Sequence, residues 1–359
     1  MVLYTSCALF LQLQSINERL ISINASPSEI NMHKPFLIIG GYGTVGSHLV
    51  SLLNQFLPDL PVVIAGRNAE QAQKSAARYD NTTGIAVDTL RADLGIDSSM
   101  KFSGIAVLTN DLSTHPAQYA IAHGIPYTSI ATQLNHIAPK LTLFLRNPDC
   151  RVLIQDTSFA GIIISAGIHF SRHFQKVKRI QAAALMDEND LGGPASQVDY
   201  GDFSQKEAGL LLEDSQWIVP RDGKEMREYT LEDGFAFTGM SFPGFDAAEL
   251  AYATGATSVR VDFALGQSHG SRHGEKPSVE IIYEIEGMFT DGQEGMLKFQ
   301  LTHPGGQAFL TAVGVAVGIE SLLQDEENPG LYLTSRKIDP ELMLSRLVQS
   351  GAILSRLAG

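Results

Sequence analysis

The stretch that decides the fold is Phe36-Leu37-Ile38-Ile39-Gly40-Gly41-Tyr42-Gly43-Thr44-Val45-Gly46. Four apolar residues run into a cluster of glycines, and a helical pattern of apolar residues then extends from Thr44 to Phe56. This order predicts a buried strand, a tight turn and a helix. Three of the glycines have the G-x-G-x-x-G spacing of a turn that binds the pyrophosphate of a dinucleotide.

Each glycine has a predicted role in this turn. Gly41 is expected to reverse the chain with a positive φ, Gly43 to bring the backbone close to the pyrophosphate, and Gly46 to let the helix pack closely on the strand. Free N–H groups at the start of the helix then face the bound anion. A glycine-rich turn that binds no nucleotide is the alternative, since the chain contains 33 glycines. We predict a dinucleotide held by Gly41, Tyr42, Gly43, Thr44, Val45 and Gly46.

The end of the second predicted strand, residues 62–65, indicates which dinucleotide is bound. In NAD-preferring folds of this type, an acidic residue about 20 positions past the glycines accepts a hydrogen bond from the ribose 2′-hydroxyl. Here the strand is followed by Gly66, Arg67 and Asn68. A guanidinium suits a 2′-phosphate, and Asn68 can add a donor. We predict NADP(H) as the preferred cofactor, with NAD possible; the alternative is that Arg67 is an ordinary solvated loop residue.

Further strands alternate with helices along the first part of the chain. Strands are predicted at 84–87, 104–108, 124–130 and 151–154, and helices between them. Ligands bind at the carboxyl ends of strands in open α/β sheets, so Thr109 and Asn110 are expected to contact the ribose side of the cofactor. Asp88 is expected either near the adenine amino group or as the cap of a turn. Residues 32–158 therefore predict a Rossmann-type doubly wound parallel sheet.

The composition changes after Phe159, and residues 159–302 predict an inserted α+β domain for substrate binding and dimerisation. Alternating apolar residues predict antiparallel strands at 258–265, 278–287 and 296–302, covered on one face. The other face is expected to meet solvent or the second subunit of a homodimer. Residues 303–359 are expected to return to the first domain as helices, at 307–323 and 340–357. Residues 1–31 are expected to be a poorly ordered extension.

Composition excludes several classes of partner. A net charge of −13 argues against a nucleic-acid or anionic-membrane surface. Cys7 and Cys150 do not suggest a disulfide framework, and a reducing cytoplasm is the simplest location. The apolar stretch at 2–13 is too short to span a membrane and has no basic residue before it. A small-molecule substrate is the expected partner.

The chemical step needs orientation and one proton donor. The candidates are His169, Tyr127, Gln133 and Asp156, among which we single out His169 and Tyr127. The alternatives are a helix histidine bonded to a backbone carbonyl and a tyrosine packed at a strand end. No metal site is predicted: residues 266–274, which include His269 and His273, are interpreted as a mobile hairpin loop. The acidic residues at 187–190 are interpreted as a solvated loop.

Several segments in sequence order resemble the saccharopine dehydrogenase-like oxidoreductase family. They are the doubled glycine of the first turn, the Ala-Gly-Arg at 65–67, the strand at 107–110, the strand start at 124–127, and the segments 160–168 and 327–332. The resemblance implies an NAD(P)-binding domain with an inserted substrate and dimerisation domain. It also implies hydride transfer that makes or breaks a C–N bond of an amino acid through an imine.

Two departures from the family fall where the substrate is expected. Thr128-Ser129 replaces an acidic residue, and Ile164-Ser165 stands where the family has a proline. We therefore expect a carbonyl or imine substrate that is smaller or less charged than saccharopine. Two alternatives are a non-catalytic NAD(P)-binding sensor or scaffold protein, and an enzyme that uses a tightly held cofactor without net redox change.

Overall fold

A computed structural model describes residues 34–357 except 112, 131–133, 191, 194–207 and 325–327. The predicted extension at 1–31 and the candidate Gln133 lie outside the described residues.

The described chain forms two sheets and the helices that pack on them. The strands are β1 (Phe36–Ile39), β2 (Val62–Gly66), β3 (Thr82–Ala86), β4 (Gly104–Val107), β5 (Tyr127–Ser129), β6 (Arg151–Ile154), β7 (Phe174–Asp187), β8 (Leu211–Glu213), β9 (Gln216–Ile218), β10 (Met226–Thr230), β11 (Ala236–Ser241), β12 (Ser258–Gly266), β13 (Val279–Phe289), β14 (Glu294–His303), β15 (Gly330–Leu333) and β16 (Ile353–Leu357). The helices are α1 (Thr44–Phe56), α2 (Ala69–Ala76), α3 (His115–His123), α4 (Leu134–Leu145), α5 (Ile162–Ser171), α6 (Asp246–Thr254), α7 (His269–Arg272), α8 (Gly306–Gln324), α9 (Thr334–Lys337) and α10 (Pro340–Gln349).

The first sheet is parallel and has the strand order β15-β6-β5-β4-β1-β2-β3. Its two faces are buried in different clusters, because alternate side chains of β1 point to opposite sides. Phe36 and Ile38 pack with the apolar sides of α1 and α2, whereas Leu37 and Ile39 pack with α3 and α4. The predicted doubly wound parallel sheet is therefore confirmed.

The sequence pattern predicts some ends of helices and strands accurately and others poorly. β1 and the start of α1 lie where the glycine cluster predicts them. β5 is shorter than the predicted 124–130, because Gly124 ends α3 in a left-handed conformation with its N–H bonded to Ala120 and Ile121. The chain therefore reaches the sheet only at Tyr127.

The second sheet is mixed, with the strand order β10-β11-β12-β7-β13-β14-β16, and β8 pairs with both β12 and β9. β13 is antiparallel to β7 and β14, as predicted. β12 is parallel to β7, so the expectation that all later strands are antiparallel was wrong for this pair. Period-two alternation fixes which face of a strand is buried but carries no information about its direction.

The hairpin formed by β10 and β11 covers the face of the second sheet that was expected to meet solvent or a partner. Ala183, Leu185 and Ile282 on that face are buried against Tyr229 and Phe237 of the hairpin. Arg227 on β10 also pairs with Glu284 on β13, although three strands separate them in the sheet. The sheet therefore curls until its edge hairpin lies over its own face.

The last part of the chain contributes to both sheets. Sixteen of the 19 residues of α8 are buried, so this helix is surrounded by the protein instead of presenting a single apolar face. It is long and apolar enough to cross a membrane by length and composition, but its burial is that of a core helix. β15 joins the first sheet and β16 joins the second. The predicted helix at 340–357 was wrong beyond Gln349, because the chain turns at Gly351 and then pairs with β14.

Candidate dinucleotide-binding site

Four adjacent strands of the first sheet, β4, β1, β2 and β3, end at one edge, which we call the glycine-turn edge. In the register, Ile39 of β1 is opposite Ala65 of β2 and Val107 of β4, and Gly66 is opposite Ala86 of β3. The residues that follow these strands are therefore neighbours in space. β1 lies between β2 and β4, where the chain direction of the crossovers reverses, and ligands of open α/β sheets bind at this point.

The glycine turn has the predicted shape with one difference. Gly40 carries the positive φ, +86°, whereas Gly41 does not. The predicted role of Gly41 in reversing the chain was therefore wrong, and Gly40 has that role. Gly41 is still confined, because a Cβ there would lie 3.1 Å from the Ile38 carbonyl and the Ile64 side chain. A Cβ on Gly46 would lie 2.3 Å from the Gly40 carbonyl oxygen, so the helix can approach the turn this closely only with glycine.

The start of α1 is open toward the edge. Gly43 and Thr44 are exposed, and Gly43 donates its own N–H to the Gly40 carbonyl at 2.9 Å. Among the described residues, the backbone N–H groups of Thr44, Val45 and Gly46 have no hydrogen-bond acceptor. Three unpaired donors and the positive end of a 13-residue helix make a site for an anion.

Donors and an aromatic ring gather at the end of β2. Arg67 and Asn68 are exposed, and the Asn68 side chain caps α2 by accepting from the Gln71 N–H at 3.0 Å. The Asn68 N–H donates to the hydroxyl of Tyr42 at 3.2 Å. The Tyr42 ring packs against Gly66, where a Cβ would lie 2.4 Å from Cε1. The structure thus brings the glycine turn, Arg67 and Asn68 to one place.

The remaining predicted cofactor contacts lie at the same edge. Thr109 follows β4, and its Cγ2 would lie 2.8 Å from a Cβ on Gly40, so it borders the glycine turn. Asn110 is exposed beside it. Asp88 follows β3, is exposed, and accepts from the Leu90 N–H at 3.0 Å. Asp88 therefore caps a turn, which is the second of its two predicted roles.

The structure does not bring the two singled-out catalytic candidates to this edge. Tyr127 begins β5 and is buried against Phe144, and burial raises the pKa of its hydroxyl far above the ordinary value. His169 lies in the last turn of α5, where its Nδ1 is 2.8 Å from Glu341 of α10. Arg172 contacts the same carboxylate. Each side chain thus has packing partners away from the glycine turn.

A buried ion pair at the ends of β5 and β6 includes a residue that sequence reasoning missed. The Lys140 Nζ lies 2.8 Å from the Ser129 hydroxyl and 3.2 Å from both carboxylate oxygens of Asp156. The side chains of Lys140 and Asp156 are 5% and 0% exposed. The two side chains therefore form a salt bridge that is shielded from solvent. One signal was available: Lys140 is the only lysine, arginine or carboxylate within α4.

The crossover from β6 to α5 has a strained backbone. Phe159 and Ala160 have positive φ values of 50° and 53°, and Gly161 follows with 91°. Gln155 holds this turn by donating to the carbonyls of Ala160 and Gly314 at 3.1 and 2.7 Å. Strained turns persist only where their surroundings fix them, and here helix α8 supplies part of that support.

A buried carboxylate joins the crossover to the second domain. Asp246, at the start of α6, accepts from the Ser158 N–H at 3.1 Å and from its hydroxyl at 3.0 Å. Burial raises the pKa of Asp246 to about 6, although these hydrogen bonds oppose the shift. Glu249, one turn later, accepts from the Ser335 N–H, and burial raises its pKa to about 7.

The histidine loop and the acidic loop both differ from their predicted forms. His269 starts the short helix α7, and β7 lies between the two strands that the loop connects, so it is not a hairpin. Ligand atoms of Asp233, His269 and His273 lie within 4.8 Å of one another, but Arg272 pairs with the Asp233 carboxylate. These groups therefore form an ion-pair cluster that fastens the β10–β11 hairpin.

Two of the three acidic residues at 187–190, Asp187 and Asp190, have structural contacts, whereas Glu188 is exposed. Burial alone would raise the pKa of Asp187, but hydrogen bonds from Ser268 and from the Asn189 N–H lower it to about 2. Asp190 accepts from the Gln307 N–H at 2.8 Å and so caps α8 from a distant loop. The prediction of a solvated loop was wrong for Asp187 and Asp190, because the partners of both carboxylates come from elements far away in sequence. Glu188 and Asn189 are exposed, as predicted.

These features define a protein with a Rossmann-type parallel sheet and a second domain built on a mixed sheet. No protein-family model matches the chain, and no curated protein matches it in sequence. Among solved structures, the chain is similar to apo histidine-tagged saccharopine dehydrogenase (L-Glu forming) from Saccharomyces cerevisiae. The TM-score is 0.66 at 12% identity, over 90% of this chain and 100% of that one. The predicted saccharopine dehydrogenase-like fold is therefore confirmed.

Two other solved structures show weaker similarity. GenD2 from gentamicin A biosynthesis, in complex with NAD, has a TM-score of 0.48 at 10% identity, over 94% of this chain and 100% of that one. An oxidoreductase from Agrobacterium radiobacter, in complex with NAD+, L-tartaric acid and magnesium, has a TM-score of 0.46 at 11% identity, over 89% and 98%.

Proposed function

We propose that the protein is an NADP(H)-dependent oxidoreductase that transfers a hydride to or from a carbonyl or imine carbon of a small amino-acid-like substrate. The observation that carries this proposal is the open start of α1, where three N–H groups lack an acceptor among the described residues and Gly46 touches Gly40. A pyrophosphate fits such a site.

The end of β2 supports the choice of NADP(H) over NAD. Arg67 supplies a guanidinium there, and no carboxylate occupies the position of Gly66. The nicotinamide ring of the bound cofactor would supply or accept the hydride. The chain itself would orient the nicotinamide through the glycine turn, Thr109 and Asn110, and shape the substrate side through the crossover after β6.

The identity of the proton donor is also a proposal. His169 and Tyr127 are the candidates from the sequence, and their contacts with Glu341 and Phe144 leave each a structural role as the alternative. Asp156, the further candidate, is bonded to Lys140. If Asp156 took part in proton transfer, Lys140 would have to take part as well.

A non-catalytic NAD(P)-binding sensor or scaffold protein is the second candidate function. It is favoured by the same contacts, because the candidate donors have packing partners. Turnover of any member of a panel of carbonyls, imines and amines, followed by the absorbance of reduced nicotinamide, supports the enzyme. Binding of NADPH without turnover of any member supports the sensor.

Arg67→Ala tests the cofactor assignment. Loss of a charge-assisted contact with a 2′-phosphate costs about 2 kcal/mol, so the NADPH dissociation constant should rise about thirtyfold. The NADH dissociation constant should change by less than about twofold, since NADH lacks that phosphate. Titration of nicotinamide fluorescence measures both, and Arg78→Ala, a substitution beyond α2, is the control. Equal effects on both dinucleotides would remove the assignment.

A cytoplasmic homodimer completes the proposal. The face of the second sheet expected to form the dimer is covered by β10 and β11, so a second copy would have to bind elsewhere. The molar mass of the protein in solution shows directly whether it forms a dimer.

A further inference from the structure

The Tyr42 ring fills the space beside residue 66. A Cβ built on Gly66 would lie 2.4 Å from Cε1, 2.6 Å from Cζ and 2.6 Å from the hydroxyl oxygen of Tyr42. Atoms cannot approach this closely, so no residue larger than glycine fits at 66 while the ring is in place. Gly66 is the last residue of β2 and is itself buried.

This space is the one a carboxylate occupies in dinucleotide-binding folds that prefer NAD. There, an acidic side chain at the end of the second strand accepts from the ribose 2′-hydroxyl. In this chain, the carboxylate that follows the neighbouring strand is Asp88, which caps its own turn. The ring thus excludes an acceptor from the position where NAD needs one.

The polar groups that remain around the ring are donors. The Tyr42 oxygen already accepts from the Asn68 N–H, which leaves its O–H hydrogen to donate. The Asn68 Oδ1 already accepts from Gln71, which leaves the Asn68 amide hydrogens. Together with the Arg67 guanidinium, these groups suit a phosphate, which only accepts, better than a hydroxyl that needs an acceptor.

We propose that the Tyr42 ring determines the choice between NADP(H) and NAD by keeping residue 66 free of a carboxylate. The inference rests on the proposed dinucleotide binding and adds to it the residue that sets the preference. Tyr42 acts through its bulk against Gly66, whereas Arg67 acts through its charge.

The test introduces Gly66→Asp into three backgrounds that differ only at residue 42. In the Tyr42→Ala background the space is open, so Gly66→Asp should bind NADH about tenfold more tightly than Tyr42→Ala alone, the effect of one charge-assisted hydrogen bond. It should also weaken NADPH, because the carboxylate repels the 2′-phosphate. In the native and Tyr42→Phe backgrounds the ring remains, and Gly66→Asp should give no gain in NADH affinity.

Tyr42→Phe is the matched control, since it keeps the ring and removes only the hydroxyl. Gly66→Asp with an intact ring should lower the unfolding midpoint, and Tyr42→Ala should restore it, because the overlap with the ring is then relieved. If the single variant does not fold, the comparison between Tyr42→Ala and Tyr42→Ala/Gly66→Asp still decides the matter.

The outcomes separate this inference from the proposed function. Equal effects of Gly66→Asp on NADH affinity with and without the ring would overturn the role of Tyr42. No gain in the Tyr42→Ala background, with the native protein still binding NADPH, would also overturn it. If the native protein binds neither dinucleotide, the proposed function itself fails.

Discussion

Gly46 and Gly43 belong to the same turn but are glycines for different reasons. Gly46 faces the turn, where a Cβ would lie 2.3 Å from the Gly40 oxygen and 2.6 Å from the Gly41 Cα. Gly43 is exposed, has a φ of −74°, and would place a Cβ 3.1 Å from the Gly40 oxygen. The first is required for packing, while the second borders the space where a pyrophosphate is proposed to bind.

Alanine substitutions should separate these two roles. Gly46→Ala should lower the free energy of unfolding by about 2 kcal/mol through overpacking and abolish dinucleotide binding. Gly43→Ala should cost at most about 1 kcal/mol, since it is only a less favourable N-cap, but should weaken dinucleotide binding clearly. Chemical denaturation and calorimetric titration measure the two quantities. A Gly43→Ala protein that binds NADPH as tightly as the native protein would argue against the pyrophosphate contact.

Residues within one local motif could be predicted from the sequence, whereas paired residues far apart in sequence could not. The glycine turn, Arg67 and Asn68 lie in short segments whose spacing fixes their relation. Lys140 and Asp156 meet only because α4 packs across the ends of β5 and β6. The exchange of roles between Gly40 and Gly41 was also not predictable, because both lack a side chain and either can adopt a positive φ.

At the scale of elements, α8 depends on a cap from another domain. Its first turn contains no acidic residue, and Asp190 from the loop after β7 accepts the Gln307 N–H. The same loop approaches the start of α1, where a Cβ on Gly193 would lie 2.9 Å from the Thr44 hydroxyl. The loop after β7 therefore borders the starts of both α1 and α8.

Asp190→Ala should destabilise the protein through the loss of this cap. The expected decrease in the free energy of unfolding is about 1 kcal/mol, the usual worth of an N-cap carboxylate. Glu188→Ala, two residues earlier and exposed, is the matched control and should change it by less than about 0.5 kcal/mol. Urea denaturation of the three proteins gives the comparison. Equal midpoints for both variants would show that the cap contributes nothing.

Whether a segment forms a helix or a strand was predictable where the periodicity of its apolar residues is strong. The direction of a strand and the residues at which an element ends were not predictable. The alternation along β13 identified its buried face, yet the parallel pairing of β7 with β12 depends on the long connection between them. The final segment, 353–357, was predicted as helix, because its few apolar residues fit either period. Pairing with β14 decided the outcome.

At the scale of the whole molecule, two buried carboxylates join the domains at a cost that depends on pH. Asp246 and Glu249 have pKa values raised by burial to about 6 and about 7. The folded protein therefore binds protons more tightly than the unfolded chain, and stability must fall as pH rises through these values.

Between pH 6 and pH 8 the free energy of unfolding should decrease by about 2 kcal/mol from these two groups. His303, whose pKa burial lowers to about 4, contributes in the opposite direction between that value and its unfolded pKa of about 6.5, so it offsets part of this decrease near pH 6. The double variant Asp246→Asn/Glu249→Gln should lack the decrease, since its amides are neutral throughout and Asn can still accept from Ser158. The difference between the native and variant profiles therefore isolates the two carboxylates. Denaturant titrations at several pH values provide the measurement. A difference between the native and variant free energies of unfolding that stays constant between pH 6 and pH 8 would contradict the assignment.

Both sheets are completed by strands from the end of the described chain. β15 forms the edge of the first sheet beside β6, and β16 forms the edge of the second beside β14. During synthesis, the ribosome must therefore release the chain past Leu333 before the first sheet has all its strands, and past Leu357 before the second sheet has all of its own. The first sheet cannot be completed until β14 of the second has been translated, and a nascent chain stalled before β15 exposes two unpaired edges to chaperones and proteases.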